Sequence, residues 1–199
     1  MGIEDSTTWD NSQASEGGSV LAPNNLPPPR RLITTHTSDG KSVFYSDLSE
    51  EPHVQVLDPR ASAALAYVTK LPASLRPEAD ISNYAKVAAD PPGLTISNSA
   101  VLRWYDIGPG VESPLHRTMS IDYLVVLFGE VDLVLDSGES RTMRPGEVVV
   151  QRGTFNSWRN KSSDWVRTLA ITIPVGNIVV GGKEVGEELE DIQGFKRSA

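Results

Sequence analysis

The chain has 199 residues, 39% of them apolar, with 26 acidic against 18 basic side chains and a formal net charge of −8. That is enough apolar material for one core, and an acidic chain offers no field to attract phosphate backbones, so nucleic acid is not an expected partner. Zero cysteines exclude disulfides, thiolate zinc sites, iron–sulfur ligation and a cysteine nucleophile, which leaves His36, His53 and His116 as the whole imidazole complement.

Residues 1–31 collect Ser, Asn, Gly and Pro, end in Leu26-Pro27-Pro28-Pro29, and read as a flexible N-terminal arm. Its opening, Met1-Gly2-Ile3-Glu4-Asp5-Ser6, formally fits the short myristoylation pattern, but Glu4 and Asp5 would repel an anionic membrane surface. No run approaches the roughly 18 apolar residues of a membrane helix. A basic-then-apolar leader is also missing, so the expectation is a cytoplasmic protein with no membrane partner. Asn160-Lys161-Ser162 is then a chance glycosylation triplet.

From Leu32 the rest of the chain, 32–199, reads as a single domain. Short apolar or alternating runs at Leu32 to Thr35, Ser42 to Tyr45 and Leu65 to Lys70 predict strands. Ala61 to Ala66 suits either strand or helix, because alanine favours helix and the run is too short for its period to decide. Ile81 to Ala89 predicts a short helix, which Asp90-Pro91-Pro92-Gly93 must end. The densest β signal spans about 99–175, with strands at Val101 to Ile107, Asp122 to Phe128, Val131 to Leu135, Glu147 to Gln151 and Val166 to Ile173. Gly129-Glu130, Asp136-Ser137-Gly138 and Arg144-Pro145-Gly146 supply turns between them. Many short strands without intervening helices indicate an all-β antiparallel sandwich or barrel. Gly186 to Ile192 is an acidic segment that can end in a helical turn.

Within this region His116, Thr118 and Asp122 share parity, so an extended chain aims all three at one face. The segment from Pro145 to Asn160 can bring Asn156 and Trp158 to the same cavity. One imidazole, one carboxylate and one carboxamide would then converge inside an apolar barrel. Each has a plainer reading: His116 as a satisfied core histidine, Asp122 as the ion-pair partner of Arg117 or Arg159, Asn156 as an ordinary Asx turn. The aromatic residues Trp104, Tyr105, Tyr123, Phe155, Trp158 and Trp165 can line a pocket or simply pack the sheets. Arg103, Arg117 and Arg152 can grip a substrate carboxylate or lie solvated. His36 is expected beside a turn and His53 exposed.

The two segments resemble the paired signature of the cupin superfamily. Gly110, five residues, His116-Arg117-Thr118, three residues, Asp122, six residues and Gly129 follow the first motif, with Thr118 for its second histidine and Asp122 for its glutamate. Gln151-Arg152-Gly153-Thr154-Phe155-Asn156 followed by Asn160 is similar to the second motif, its histidine replaced by Asn156. The His-Arg-Thr, Asp-Tyr and Val-Gln-Arg-Gly-Thr strings look most like small single-domain cupins, several of which occur in fungal natural-product gene clusters. The resemblance implies a double-stranded β-helix, or jelly-roll barrel, in which similar proteins often dimerise through N-terminal strands; a homodimer is therefore an expectation.

The resemblance does not fix the activity, because one fold hosts many chemistries. A tight transition-metal site wants three or four histidine or carboxylate ligands, whereas His116, Asp122 and the weak donor Asn156 are what this sequence offers. The expectation is therefore no tightly bound metal, with a weakly bound divalent ion at those three residues as the alternative. His116 would transfer a proton, Asp122 would fix its tautomer or raise its pKa, and Asn156 would donate a hydrogen bond to a developing oxyanion. Trp158, Tyr105, Arg103, Thr118 and Tyr123 complete the expected substrate-binding set. This suits a lyase or isomerase/cyclase acting on a polyketide-like small molecule. A metal-dependent dioxygenase or decarboxylase and a non-catalytic small-ligand binder are the competing readings.

Overall fold

The computed structural model describes residues 21–91, 93–189 and 195. Thirteen strands and one helix occur among them. In chain order these are β1 (Thr34–His36), β2 (Ser42–Phe44), β3 (Val54–Asp58), β4 (Ala61–Lys70), α1 (Ala79–Ala89), β5 (Ser99–Ile107), β6 (Ser120–Phe128), β7 (Val131–Leu135), β8 (Ser140–Met143), β9 (Val148–Arg152), β10 (Asn156–Arg159), β11 (Val166–Pro174), β12 (Ile178–Val180) and β13 (Lys183–Val185). The ambiguous alanine run is strand: β4 pairs with β5 along most of its length, and ladder hydrogen bonds outweigh alanine's local helix preference. Five strands went unread in the sequence, β3, β8, β10, β12 and β13. The acidic segment after Val185 is extended as far as residue 189, with Glu188 bridging Arg117, and its end, where a helical turn was expected, lies outside the described residues.

All pairings are antiparallel. A six-stranded sheet runs β3-β4-β5-β11-β6-β9 and a three-stranded sheet runs β10-β7-β8, so β11 enters late in the chain between β5 and β6. The two sheets face each other as the double-stranded β-helix of a cupin. Alternation decides which side chains meet: Leu124 and Val126 of β6 and Val166 and Ala170 of β11 pack against Val131, Leu133, Met143 and Trp158. A second cluster lies where α1 docks. Ile81 and Tyr84, three residues apart on one helix face, are buried, and Tyr84 packs with Leu65, Val68 and Val101. The Tyr84 hydroxyl donates to the Leu65 carbonyl at 3.0 Å and its ring stacks on Tyr67 at 4.7 Å.

Of the expected arm, residues 1–20, including the myristoylation pattern, lie outside the described residues. From Ala22 onward it is tied to the barrel. The Ala22 N–H donates to the Pro59 carbonyl at 2.5 Å, Asn24 Nδ2 to Asp106 at 2.9 Å, and Trp165 Nε1 to the Pro23 carbonyl at 3.0 Å. Arg167 bonds the Pro27 carbonyl, and Arg31 bonds Ser49, the Ala66 carbonyl and the Tyr84 hydroxyl. Proline-rich sequence here is adhered chain rather than loose chain, because its carbonyls are free to accept from side chains of the barrel.

Candidate active site

The pleat of β6 and the chain just before it place the first group of side chains. Asp122 and Leu124 point inward, and Thr118 and His116 line the same cavity, which holds about 520 Å³ between the sheets behind a mostly apolar wall. The shared parity read from the sequence therefore holds. Asn156 joins His116 directly: the two residues exchange backbone hydrogen bonds of 2.9 Å in each direction, which stitches the chain before β6 onto the start of β10.

The His116 ring takes its orientation from the backbone. Its Nδ1 lies 2.8 Å from the Pro114 carbonyl, an oxygen that can only accept, so Nδ1 carries the hydrogen and Nε2 is the basic nitrogen. Burial pushes its pKa below the ordinary 6.5, and the bond to Pro114 opposes this only in part. The imidazole is thus neutral near pH 7. Asp122 does not orient or charge it, contrary to expectation. Burial raises the Asp122 pKa from 3.8, while the hydroxyls of Ser120, Thr118 and Thr172 work the other way. Thr118 donates to Asp122 Oδ2 at 3.3 Å, and Ser120 donates to Thr118 at 2.7 Å. The carboxyl is held by hydroxyls and has no cation against it.

Asn156 is also placed differently from its expected role. Its Nδ2 lies 3.1 Å from the Thr154 carbonyl and 3.5 Å from the His116 carbonyl. Both are acceptors, so the amide hydrogens are spent on backbone and only Oδ1 is left, an acceptor that cannot stabilise an oxyanion. Of the expected substrate-binding set, Tyr105, Thr118 and Trp158 line the cavity. Tyr123 does not. It is 39% exposed on the outer face, as its odd position in β6 requires. Arg103 is 2% exposed, but its guanidinium donates to the carbonyls of Gly93 and Leu94 and sits 5.0 Å from the Phe195 ring, so it holds a loop instead of lining the wall. Arg117 bonds Glu188 and the Gly186 carbonyl beneath the Phe155 ring, and Arg152 is exposed. His36 and His53 are exposed and outside the cavity.

Gln151, Leu94 and Phe195 are among the lining residues that were not foreseen. Gln151 was legible, since it sits in the Val-Gln-Arg-Gly-Thr string and pairs with Asp122 across β6 and β9, which forces both side chains to one face. Leu94 and Phe195 arrive by long-range packing that no local pattern announces.

The fold family implies a metal, so its fit to these donors matters. One imidazole, one carboxyl and one amide oxygen supply fewer strong donors than the three or four that a firmly held transition metal takes. Among the described residues no group of three His, Cys, Asp or Glu is placed to hold an ion. The residues do not fit a tightly bound metal.

No family model matches the chain. Phomopsin biosynthesis cluster protein C' of Diaporthe leptostromiformis is 45% identical over 163 residues, 81% of this chain and 86% of the relative. The cupin-domain-containing oxidoreductase fogC of Aspergillus ruber is 39% identical over 159 residues, 78% of this chain and 77% of the relative. Among solved structures, the polyketide cyclase RemF of Streptomyces resistomycificus aligns over 71% of this chain and 83% of its own at 15% identity, with a TM-score of 0.44. The chain belongs to the cupin-domain proteins of fungal biosynthesis clusters.

Proposed function

We propose that the protein is a small-molecule biosynthetic enzyme, a lyase or isomerase/cyclase that moves protons on an oxygen-rich, polyketide-like substrate without a tightly bound metal. One observation carries this reading: a neutral imidazole with a free basic nitrogen and a carboxyl that resists ionisation line the same apolar cavity. His116 Nε2 takes a proton from substrate, and the Asp122 carboxyl supplies one to the group that leaves or to the carbon that is re-protonated. Tyr105 and Trp158 exclude water from the reacting atoms.

His116→Ala is expected to lower turnover by about 10²-fold or more, the usual worth of a general base, while circular dichroism shows the fold retained. Undiminished turnover in a folded variant would remove the mechanism. A second reading, an oxidoreductase, is favoured by the names of fogC and its relatives. Product mass separates the two when the protein is incubated with a metabolite extract. Isomerisation leaves the mass unchanged with a new retention time, and dehydration or decarboxylation removes water or carbon dioxide. Oxidation instead removes two hydrogens or adds oxygen. Metal analysis of the purified protein and turnover after chelation test the weak divalent site at His116, Asp122 and Asn156.

A further inference from the structure

Three buried polar atoms at the cavity have no hydrogen-bond partner among the described residues: Asp122 Oδ1, Gln151 Nε2 and Asn156 Oδ1. Gln151 is 6% exposed and Asn156 4%, so water from outside does not reach them freely. Buried polar groups are nearly always satisfied, and three orphans lining one cavity mark where a ligand's own polar atoms belong. They are also chemically distinct. Gln151 Nε2 can only donate, Asn156 Oδ1 can only accept, and Asp122 Oδ1 can pair with a hydroxyl in either protonation state.

Asp122 and Gln151 are direct partners in the β6–β9 ladder, so their Cβ atoms stand about 5 Å apart on the cavity side. An N–H donor and a carboxyl oxygen are therefore carried by neighbouring positions of the sheet, and neither satisfies the other. A ligand that satisfies both presents a carbonyl to Gln151 and a hydroxyl to Asp122. A carboxylate does not suit the pair, because it brings no hydroxyl and would meet Asp122 with no cation beside it: Arg60, the cation among the described lining residues, donates from Nη1 to the Pro109 carbonyl at 2.9 Å, and Arg103, Arg117 and Arg152 are engaged or directed elsewhere.

We infer that Gln151 is the oxygen-binding residue of the site, and that with Asp122 it selects 1,3-dioxygenated ligands: β-hydroxy ketones or enolised β-diketones. This rests on the acid/base reading in one respect. The carbon between two such oxygens is the one a carbonyl acidifies, so binding the oxygens to Gln151 and Asp122 leaves that carbon for His116. Gln151 takes over the donor role that Asn156 cannot fill.

The test uses a matched pair of probes, 1-phenylbutane-1,3-dione, which is enolised, and 1-phenylbutan-1-ol, which keeps the skeleton and a hydroxyl for Asp122 but has no carbonyl for Gln151. By titration calorimetry the full-length protein is expected to bind the diketone about tenfold or more tighter than the alcohol. Gln151→Leu, and Gln151→Met with nearly the same shape and no donor, should each close that gap while keeping alcohol affinity within about twofold, which shows the cavity intact. A gap that persists in both variants overturns the inference, as does no gap, or no diketone binding, in the parent protein. His116→Ala separates the two proposals. A variant that keeps the diketone preference and loses turnover supports both. One that keeps the preference and stays active sinks the acid/base reading alone, and a parent without the preference beside an inactive His116→Ala sinks only the assignment of Gln151.

Discussion

Burial acts on His116 and Asp122 in opposite directions, and stability against pH exposes each. The folded pKa of His116 lies below its unfolded 6.5, so its contribution is complete above pH 6.5 and is lost as the pH falls through the folded value. His116→Gln, uncharged throughout, should therefore lose less stability than the parent when melting temperatures are followed downward from pH 7. Asp122 has a folded pKa above 3.8, so its contribution is complete below pH 3.8 and is lost as the pH rises through the folded value. Asp122→Asn should melt above the parent at pH 7, with the advantage vanishing below pH 3.8, even as turnover fails. Equal melting curves across that range would show that burial does not burden the carboxyl. At this scale the period of two made His116, Thr118 and Asp122 legible, and the same period applied to Tyr123 would have excluded it. The spent amide of Asn156 was not legible, because it depends on where the Thr154 and His116 carbonyls come to lie.

Turns hold the site's elements in register, and their cost of change follows from close contacts. Gly129, between β6 and β7, has φ of +71°, and a Cβ there would stand 2.8 Å from the Trp165 carbonyl and 2.9 Å from Val166 Cγ2. Backbone cannot step aside as a flexible side chain can, so Gly129→Ala is expected to cost about 2–4 kcal/mol in urea unfolding. Asn160, fully buried after β10, donates from Nδ2 to the Ile107 and Asp164 carbonyls at 2.9 and 2.8 Å and accepts from Ser162. Asn160→Ala strands those carbonyls and should destabilise by about 2–3 kcal/mol by the same measurement. Strands with apolar alternation, such as Val131–Leu135, were readable to the residue. The polar β8, Ser140–Met143, and the mixed β10, Asn156–Arg159, were not, since only pairing with β7 makes them strands.

Across the whole molecule the N-terminal segment and the barrel behave as one body from Ala22. It covers an ion pair on the outer face of the large sheet, where Arg167 Nε and Nη2 reach Asp106 at 2.6 Å each and both side chains are almost fully buried. Removing one partner leaves a buried charge alone, so Arg167→Ala should cost about 3–5 kcal/mol, and deleting residues 1–31 should lower the melting temperature by uncovering the pair. An unchanged melt after that deletion would show that the segment adheres without contributing. Among the described residues no helix is long and apolar enough to cross a membrane.

The tryptophans divide this body in a way that can be seen with light. Trp9 lies outside the described residues, Trp104 belongs to β5, and Trp165 is fastened to Pro23, whereas Trp158 forms part of the cavity wall. A guest entering the barrel meets that indole and neither of the other two described, so the protein carries its own optical gauge of occupancy. Its signal can be isolated by subtracting the emission of Trp158→Phe.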